Sequence, residues 1–172
     1  MNRIQKSFAR LSELPCWGVK RGHGSFLTLE FGRPHLIVRE PIASASGSVR
    51  IRRRLQKRHV YVAGQWHLCI YCCDWQLREG VRAIGDSSSA RRVNRAARHL
   101  DGQRFVEVTI GGRGARTMFL FDGGSVLETK PYDRRSEQWF LYEPGGHVLG
   151  FRADRKYCWG SARQRERSWR AV

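Results

Sequence analysis

Residues 105–152 read FVEVTIGGRGARTMFLFDGGSVLETKPYDRRSEQWFLYEPGGHVLGFR, and this stretch decides the fold class. Runs rich in Val, Phe, Leu and Thr at 105–110, 117–121, 126–130, 138–142 and 148–152 are separated by Gly111-Gly112, Asp122-Gly123-Gly124 and Pro144-Gly145-Gly146. Short strand-like runs at even spacing, with Gly-rich bends between them, predict antiparallel strands joined as a meander.

Upstream of this stretch the period changes to that of a helix. Asp86, Ser87, Ser88 and Ser89 are cap candidates for a helix over 90–100, and Gly102 stands just past its end. At 100° per residue Ala90, Val93, Ala96, Ala97 and Leu100 fall in one stripe, with Arg91, Arg92, Arg95, Arg98 and His99 opposite. One face packs and the other is cationic. A second helix is predicted over 3–14, where Ile4, Phe8 and Leu11 recur at helical spacing before Leu14-Pro15.

Between the helices the alternation of Phe26, Leu29 and Phe31, the turn Gly32-Arg33-Pro34 and the run 35–40 predict a hairpin. A polar connection at 41–48 leads to strand-like runs at 49–52, 60–62 and 66–74. The expected class is α+β and β-dominated: an antiparallel meander sheet with one N-terminal and one internal basic amphipathic helix. A single β-rich domain is expected over 1–160, followed by a basic C-terminal tail over 161–172. Trp66, Trp139 and Trp159 are expected to be buried, and Trp169 to be exposed.

The chain has 172 residues and a formal net charge of +17, from 32 Lys and Arg against 15 Asp and Glu. Residues 1–104 hold 20 basic and 7 acidic side chains, whereas 105–157 hold 8 and 7 and are almost balanced. With 41% hydrophobic and 11% aromatic residues this is a folding chain carrying a cationic excess, which attracts polyanions and opposes self-association. No apolar run approaches the roughly 18–20 residues of a membrane span, and Arg3, Lys6, Arg10 and Glu13 interrupt any signal-peptide pattern, so a cytoplasmic location is expected. Five cysteines, an odd set, are expected as reduced thiols.

WHLCIYCCDW at 66–75, FDGG at 121–124 and EQWFL at 137–141 resemble uncharacterised small bacterial β-sheet proteins, some of them similar to immunity-type domains. The resemblance implies a binding protein more than an enzyme and assigns no functional residue.

The candidate binding residues are basic. Arg50, Arg52, Arg53, Arg54, Lys57 and Arg58 fall within nine residues, and strand alternation would put Arg50, Arg52 and Arg54 on one side opposite Val49 and Ile51. Arg91, Arg92, Arg95 and Arg98 form a second row, and Arg163, Arg165 and Arg167 a third. Guanidinium groups bind phosphate bidentately and release counterions on doing so. Aromatic rings at Tyr61, Trp66, Tyr71, Trp75 and Trp169 interleave with these charges, although most read as core residues.

Three patterns raise other chemistry. His67, Cys69, Cys72 and Cys73 crowd together as zinc ligands would, yet an extended strand would turn Cys69 and Cys72 to opposite faces. Glu128 and Lys130 with Asp122 upstream superficially resemble the carboxylate–lysine arrangement of metal-dependent nucleases. His23 in a Gly-rich turn, with His59 or His67, is a candidate acid–base pair for RNA cleavage.

The sequence thus reads as a non-catalytic basic binding module for a polyanionic partner, nucleic acid or a ribonucleoprotein first, with no cofactor, no metal and no membrane contact expected. The alternatives are an immunity- or inhibitor-type module that binds an acidic protein, and a metal-dependent nuclease.

Overall fold

A computed structural model describes residues 2–43, 46–111, 115–164 and 166–172. In chain order the elements are α1 (Arg3–Ala9), β1 (Cys16–Arg21), β2 (Leu27–Phe31), β3 (His35–Arg39), α2 (Val49–Leu55), β4 (His59–Ala63), β5 (Trp66–Ile70), β6 (Cys73–Glu79), β7 (Arg82–Asp86) and α3 (Ala90–Leu100). There follow β8 (Phe105–Gly111), β9 (Arg116–Phe121), β10 (Ser125–Pro131), β11 (Glu137–Glu143), β12 (His147–Arg152), β13 (Lys156–Ser161) and β14 (Trp169–Ala171). All pairings are antiparallel, and the protein is α+β and β-dominated.

Every strand of the 105–152 stretch forms, and the structure divides them between two sheets. β8, β9 and β10 join β6 and β7 in a five-stranded sheet of order β7-β6-β10-β9-β8. β11 and β12 belong to a seven-stranded sheet of order β1-β2-β5-β11-β12-β13-β14. The chain crosses between sheets twice, once after Pro131 and once at Tyr71-Cys72. There Cys72 adopts φ 47 and breaks the apolar run 66–74 into β5 and β6.

The two sheets share one core. Leu29, Phe31, Leu68, Trp139 and Phe151 come from the larger sheet, and Trp75, Leu77, Phe105, Phe119 and Leu127 from the smaller. Phe8 of α1 plugs the end, with ring centroids 5.6 Å from Phe105, 5.6 Å from Phe119 and 5.2 Å edge-on from Trp139. A buried polar chain links the sheets. The Thr129 hydroxyl donates to Gln138 Oε1, Gln138 Nε2 donates to the Ala115 carbonyl (2.7 Å), and Trp139 Nε1 donates to Thr117 Oγ1 (2.9 Å). Each polar group is satisfied, as burial requires.

α3 forms where its stripe predicts. Ser89 caps it by accepting from the Arg92 N–H, and Val93, Ala96, Ala97 and Leu100 are buried. It packs on β1 and β7, and the close approach is set by Gly85. A methyl group there would stand 2.4 Å from the Arg92 carbonyl oxygen. α1 is shorter than its spacing predicts, ending at Ala9. Beyond it the chain turns at Glu13 (φ 66), whose N–H bonds to the Phe105 carbonyl, and Pro15 bridges to Arg104.

Two segments depart from the sequence expectation. β2 does not pair with β3, because β1 and β5 occupy both of its edges and all five of its residues are buried. β3 pairs instead with β4 as a separate two-stranded sheet. The run 49–52 is not a strand: Ser48 caps it by accepting from the Ile51 N–H, and Val49–Leu55 becomes α2. Arg and Leu favour helix, and no strand edge is available at this point to reward the Val-Arg-Ile-Arg alternation. β3, α2 and β4 together form an arm.

The C-terminal segment is not wholly free, since β14 pairs with β13. Trp169, expected exposed, is half-buried against Phe140, Val148 and Cys158. Trp159, expected buried, is 42% exposed: the register puts it on the core side of its sheet beside Leu149 and Leu141, but β13 is one strand from the sheet's end, beyond the main core. Its ring is held between His147, stacked at 4.7 Å, and the Arg3 guanidinium at 4.0 Å. Among the described residues no helix is long and apolar enough to cross a membrane.

Candidate anion-binding face and adjoining cleft

The basic face of α3 is exposed, and its arginines differ in what they touch. Arg92 is paired with Asp86. Arg91, Arg95 and Arg98 have no carboxylate within ion-pair distance among the described residues. Because α3 lies along β7, Arg95 and Arg98 share a depression of about 330 Å³ with Arg82, Ala83, Ile84 and His99. His99 Nε2 stands 3.4 Å from Glu79, and that is the only acid beside the depression in an ion pair with one of its lining residues, among the described residues. Three arginines thus border one depression with room for a phosphate group. Arg82 is absent from the sequence reading, since nothing in 80–86 separates a lone Arg in a strand from a solvated surface residue.

The first basic row belongs to the arm. On a helix Arg50, Arg53 and Arg54 share one face opposite Ile51 and Leu55, and Arg52 turns away from them, so the expected ladder of Arg50, Arg52 and Arg54 does not exist. Lys57 and Arg58 follow the helix, and Arg58 is paired with Glu40 at 2.9 Å. No hydrogen bond, ion pair or shared depression joins the α2 arginines to those of α3 among the described residues. The two rows have different supports: a hairpin for one, the β1–β7 flank for the other. In the third row Arg163 is exposed, Arg165 lies outside the described residues, and Arg167 lays its guanidinium over Phe140 at 4.2 Å with Glu137 at 3.9 Å. Arg167 therefore serves the fold.

A cleft of about 920 Å³ separates the arm from the outer face of the seven-stranded sheet, with Lys20, Glu30, Arg33, His35, His67 and Tyr142 among its walls. Glu30, His67 and Tyr142 are cross-strand neighbours on β2, β5 and β11. The buried Glu30 carboxylate accepts from His67 Nδ1 (2.8 Å) and from the Gly64 N–H (2.9 Å). Burial pushes its carboxyl up, but the His67 hydrogen bond and charge and the Gly64 N–H outweigh this and hold it below the ordinary range. With the carboxylate ionised the ring proton sits on Nδ1, leaving Nε2 without a hydrogen-bond partner among the described residues and able to meet a ligand. Cys69 lines the same cleft, but burial holds its thiol up at about 11, so it is no thiolate nucleophile at neutral pH. The Glu30–His67 pair is invisible in sequence because its partners are 37 residues apart.

The other candidates are spent within the fold. Glu128 accepts from Gln76 Nε2 (2.6 Å) and pairs with Arg116 (3.1 Å). Burial raises its carboxyl, and these two partners bring it below the ordinary range. Lys130 donates to Gln76, and Asp122 accepts from the Arg104 N–H. Among the described residues no three His, Cys, Asp or Glu side chains are grouped to hold a metal ion. Cys73 is buried and donates to the Gln138 carbonyl, while His23 is an exposed turn residue edge-on to Phe26. Trp66 and Trp75 are buried, and of the interleaved rings Tyr61 is the most exposed.

No protein-family model matches the chain, and neither does any curated protein or any solved structure.

Proposed function

We propose that the protein is a non-catalytic binding module for nucleic acid, and that the α3–β7 flank is its phosphate contact. The observation that carries this is that Arg82, Arg95 and Arg98 line one depression, with no carboxylate paired to any of them among the described residues. Exposed guanidinium groups without a carboxylate partner are free to take a phosphate in charge-assisted, bidentate hydrogen bonds. The net charge of +17 supplies long-range attraction over a Debye length of roughly 8 Å at physiological salt. Arg91 lies on the same helix to extend the contact along a phosphate backbone, and Arg163 is available as an outlying one.

Labelled duplex and single-stranded oligonucleotides, titrated against the full chain across a salt series, test this. Each neutralised phosphate contributes about 0.9 to the log–log slope for duplex and about 0.7 for single strands. Replacing Arg82, Arg95 and Arg98 by Gln removes the one phosphate their shared depression holds and should therefore flatten the slope by about 0.9 or about 0.7 respectively. A wild-type protein that binds neither oligonucleotide at low salt, or a triple variant with an unchanged slope, overturns the proposal.

A further inference from the structure

We propose a second interface, on the arm, which captures an extended acidic–apolar segment of a partner protein by strand addition. It does not rest on the nucleic-acid function, since it uses different residues on a different support.

The arm is an apolar surface left open. Cross-strand pairs Leu36–Val62 and Val38–Val60 place four aliphatic side chains on one face of the β3–β4 sheet. They are 67%, 47%, 50% and 50% exposed in that order. The opposite face carries His35, Ile37, Tyr61 and Ala63, which wall the cleft, so the aliphatic face points away from the body. Ile42, Val49 and Ile51 are exposed nearby. Among the described residues, eight of the fourteen exposed large hydrophobic side chains fall between 36 and 62, so the exposure is concentrated and not scattered. Contiguous patches of this kind mark interaction sites.

The arm is nevertheless built as one unit. The Arg39 guanidinium donates to the carbonyls of Leu55 (3.0 Å), Arg54 (3.1 Å) and Lys57 (3.1 Å), and the Ile42 N–H bonds to the Leu55 carbonyl. These bonds tie the C-terminal end of α2 to β3. What the unit lacks is a third strand. Among the described residues β3 and β4 pair only with each other, so each has an outer edge without a strand partner, and a lone two-stranded sheet is marginal.

Charge and backbone chemistry select the occupant. Residues 33–62 hold eight Arg and Lys against one acid, Glu40, which Arg58 already neutralises. A second copy of the chain would bring the same cations face to face. An anionic lipid surface would satisfy the cations and the aliphatic strip but leave the strand edges without hydrogen-bond partners. Nucleic acid offers only scattered thymine methyl groups to the strip and no backbone N–H or C=O to the strand edges. An extended segment with alternating acidic and β-branched residues meets all three features: edge bonds for the backbone, methyl groups for the strip, and carboxylates for the arginines.

The test uses the full chain and a labelled peptide of alternating Glu and Val, with a peptide of the same composition in which the Glu and Val are segregated as the control. The alternating peptide should bind and the control should bind at least about tenfold more weakly. Val38→Thr with Val60→Thr keeps β-propensity while replacing methyl groups by hydroxyls, and should weaken binding about tenfold or more. Arg53→Gln with Arg54→Gln should weaken it and remove its salt dependence in part. Changing Arg82, Arg95 and Arg98 to Gln should leave peptide binding intact, which separates this proposal from the nucleic-acid one. Failure of the alternating peptide to bind, equal binding of the two peptides, or unchanged affinity in the threonine variant overturns it. So does binding to phosphatidylserine-containing phosphatidylcholine vesicles that the threonine changes abolish while the peptide is ignored.

Discussion

Gly85→Ala tests whether the packing of α3 sets both stability and the anion-binding face. The added methyl would meet the Arg92 carbonyl oxygen at 2.4 Å and Ala96 Cβ at 3.0 Å, and the carbonyl is helix backbone that cannot rotate aside. Ordinary contact begins near 3.4 Å, so α3 must lift from β7 by about 1 Å. A gap of that size forfeits roughly a quarter to a half of the dispersion energy of the contacts that Val93, Ala96, Ala97 and Leu100 make with the core. Overpacking of this kind costs about 1–3 kcal/mol, and a backbone collision belongs at the upper end. At about 2–4 °C per kcal/mol for a chain of this size, a loss of about 3 kcal/mol lowers Tm by roughly 6–12 °C. Urea titration reads the stability, and the oligonucleotide salt series reads the face, where Arg95 and Arg98 move relative to Arg82. Gly80→Ala is the control. Its φ of +56 costs a side chain roughly 1–2 kcal/mol, but nothing lies within 4 Å of the new methyl, so the salt slope stays as in the parent. A Gly85→Ala protein with the parent urea midpoint and the parent salt slope would falsify this coupling.

Glu30→Gln removes a carboxylate whose folded-state pKa is depressed, so the lost stability is present above the unfolded value of roughly 4.3 and vanishes as pH falls through the folded one. Unfolding free energies of parent and variant from urea titrations should differ at neutral pH and converge as pH falls below the unfolded carboxyl value; parallel curves over that range contradict the assignment. Gln138→Leu strips the buried Ala115 carbonyl of its amide donor, while the Thr129 hydroxyl keeps its bonds to the Thr117 N–H and carbonyl, and should cost about 1–3 kcal/mol in urea, whereas a change under about 0.5 kcal/mol means that the polar link between sheets carries no stability.

Much of the fold is legible locally. The strands at 105–152 and helix α3 follow from short-range patterns, because turn glycines, caps and a 3.6-residue stripe act within a few residues of themselves. What was not legible depends on partners far away in the chain. β2 looks like half of a hairpin with β3 until β1 and β5 take its edges. The alternation at 49–52 reads as a strand, yet a strand needs an edge and a helix needs only its cap, and Ser48 supplied one. Of the candidate site, the basic stripe on α3 was visible, while Arg82 joined it only through the packing of β7, and the Glu30–His67 pair only through the β2–β5 register. Trp159 misleads for a related reason: it shares the core side of its sheet with Leu149, but β13 lies near the sheet margin, where Arg3 and His147, not apolar side chains, pack on the ring.

The corner at Cys72 has a bearing on biosynthesis. β5 is paired on one side by β2, made before it, and on the other by β11, made long after, with the five-stranded sheet encoded almost entirely between them. As the nascent chain leaves the ribosome, Leu68 and Ile70 wait beside an incomplete neighbour while β6 to β10 emerge and fold. Such long-range closure is slow, so newly made chains leave this apolar strand edge unpaired until β11 arrives.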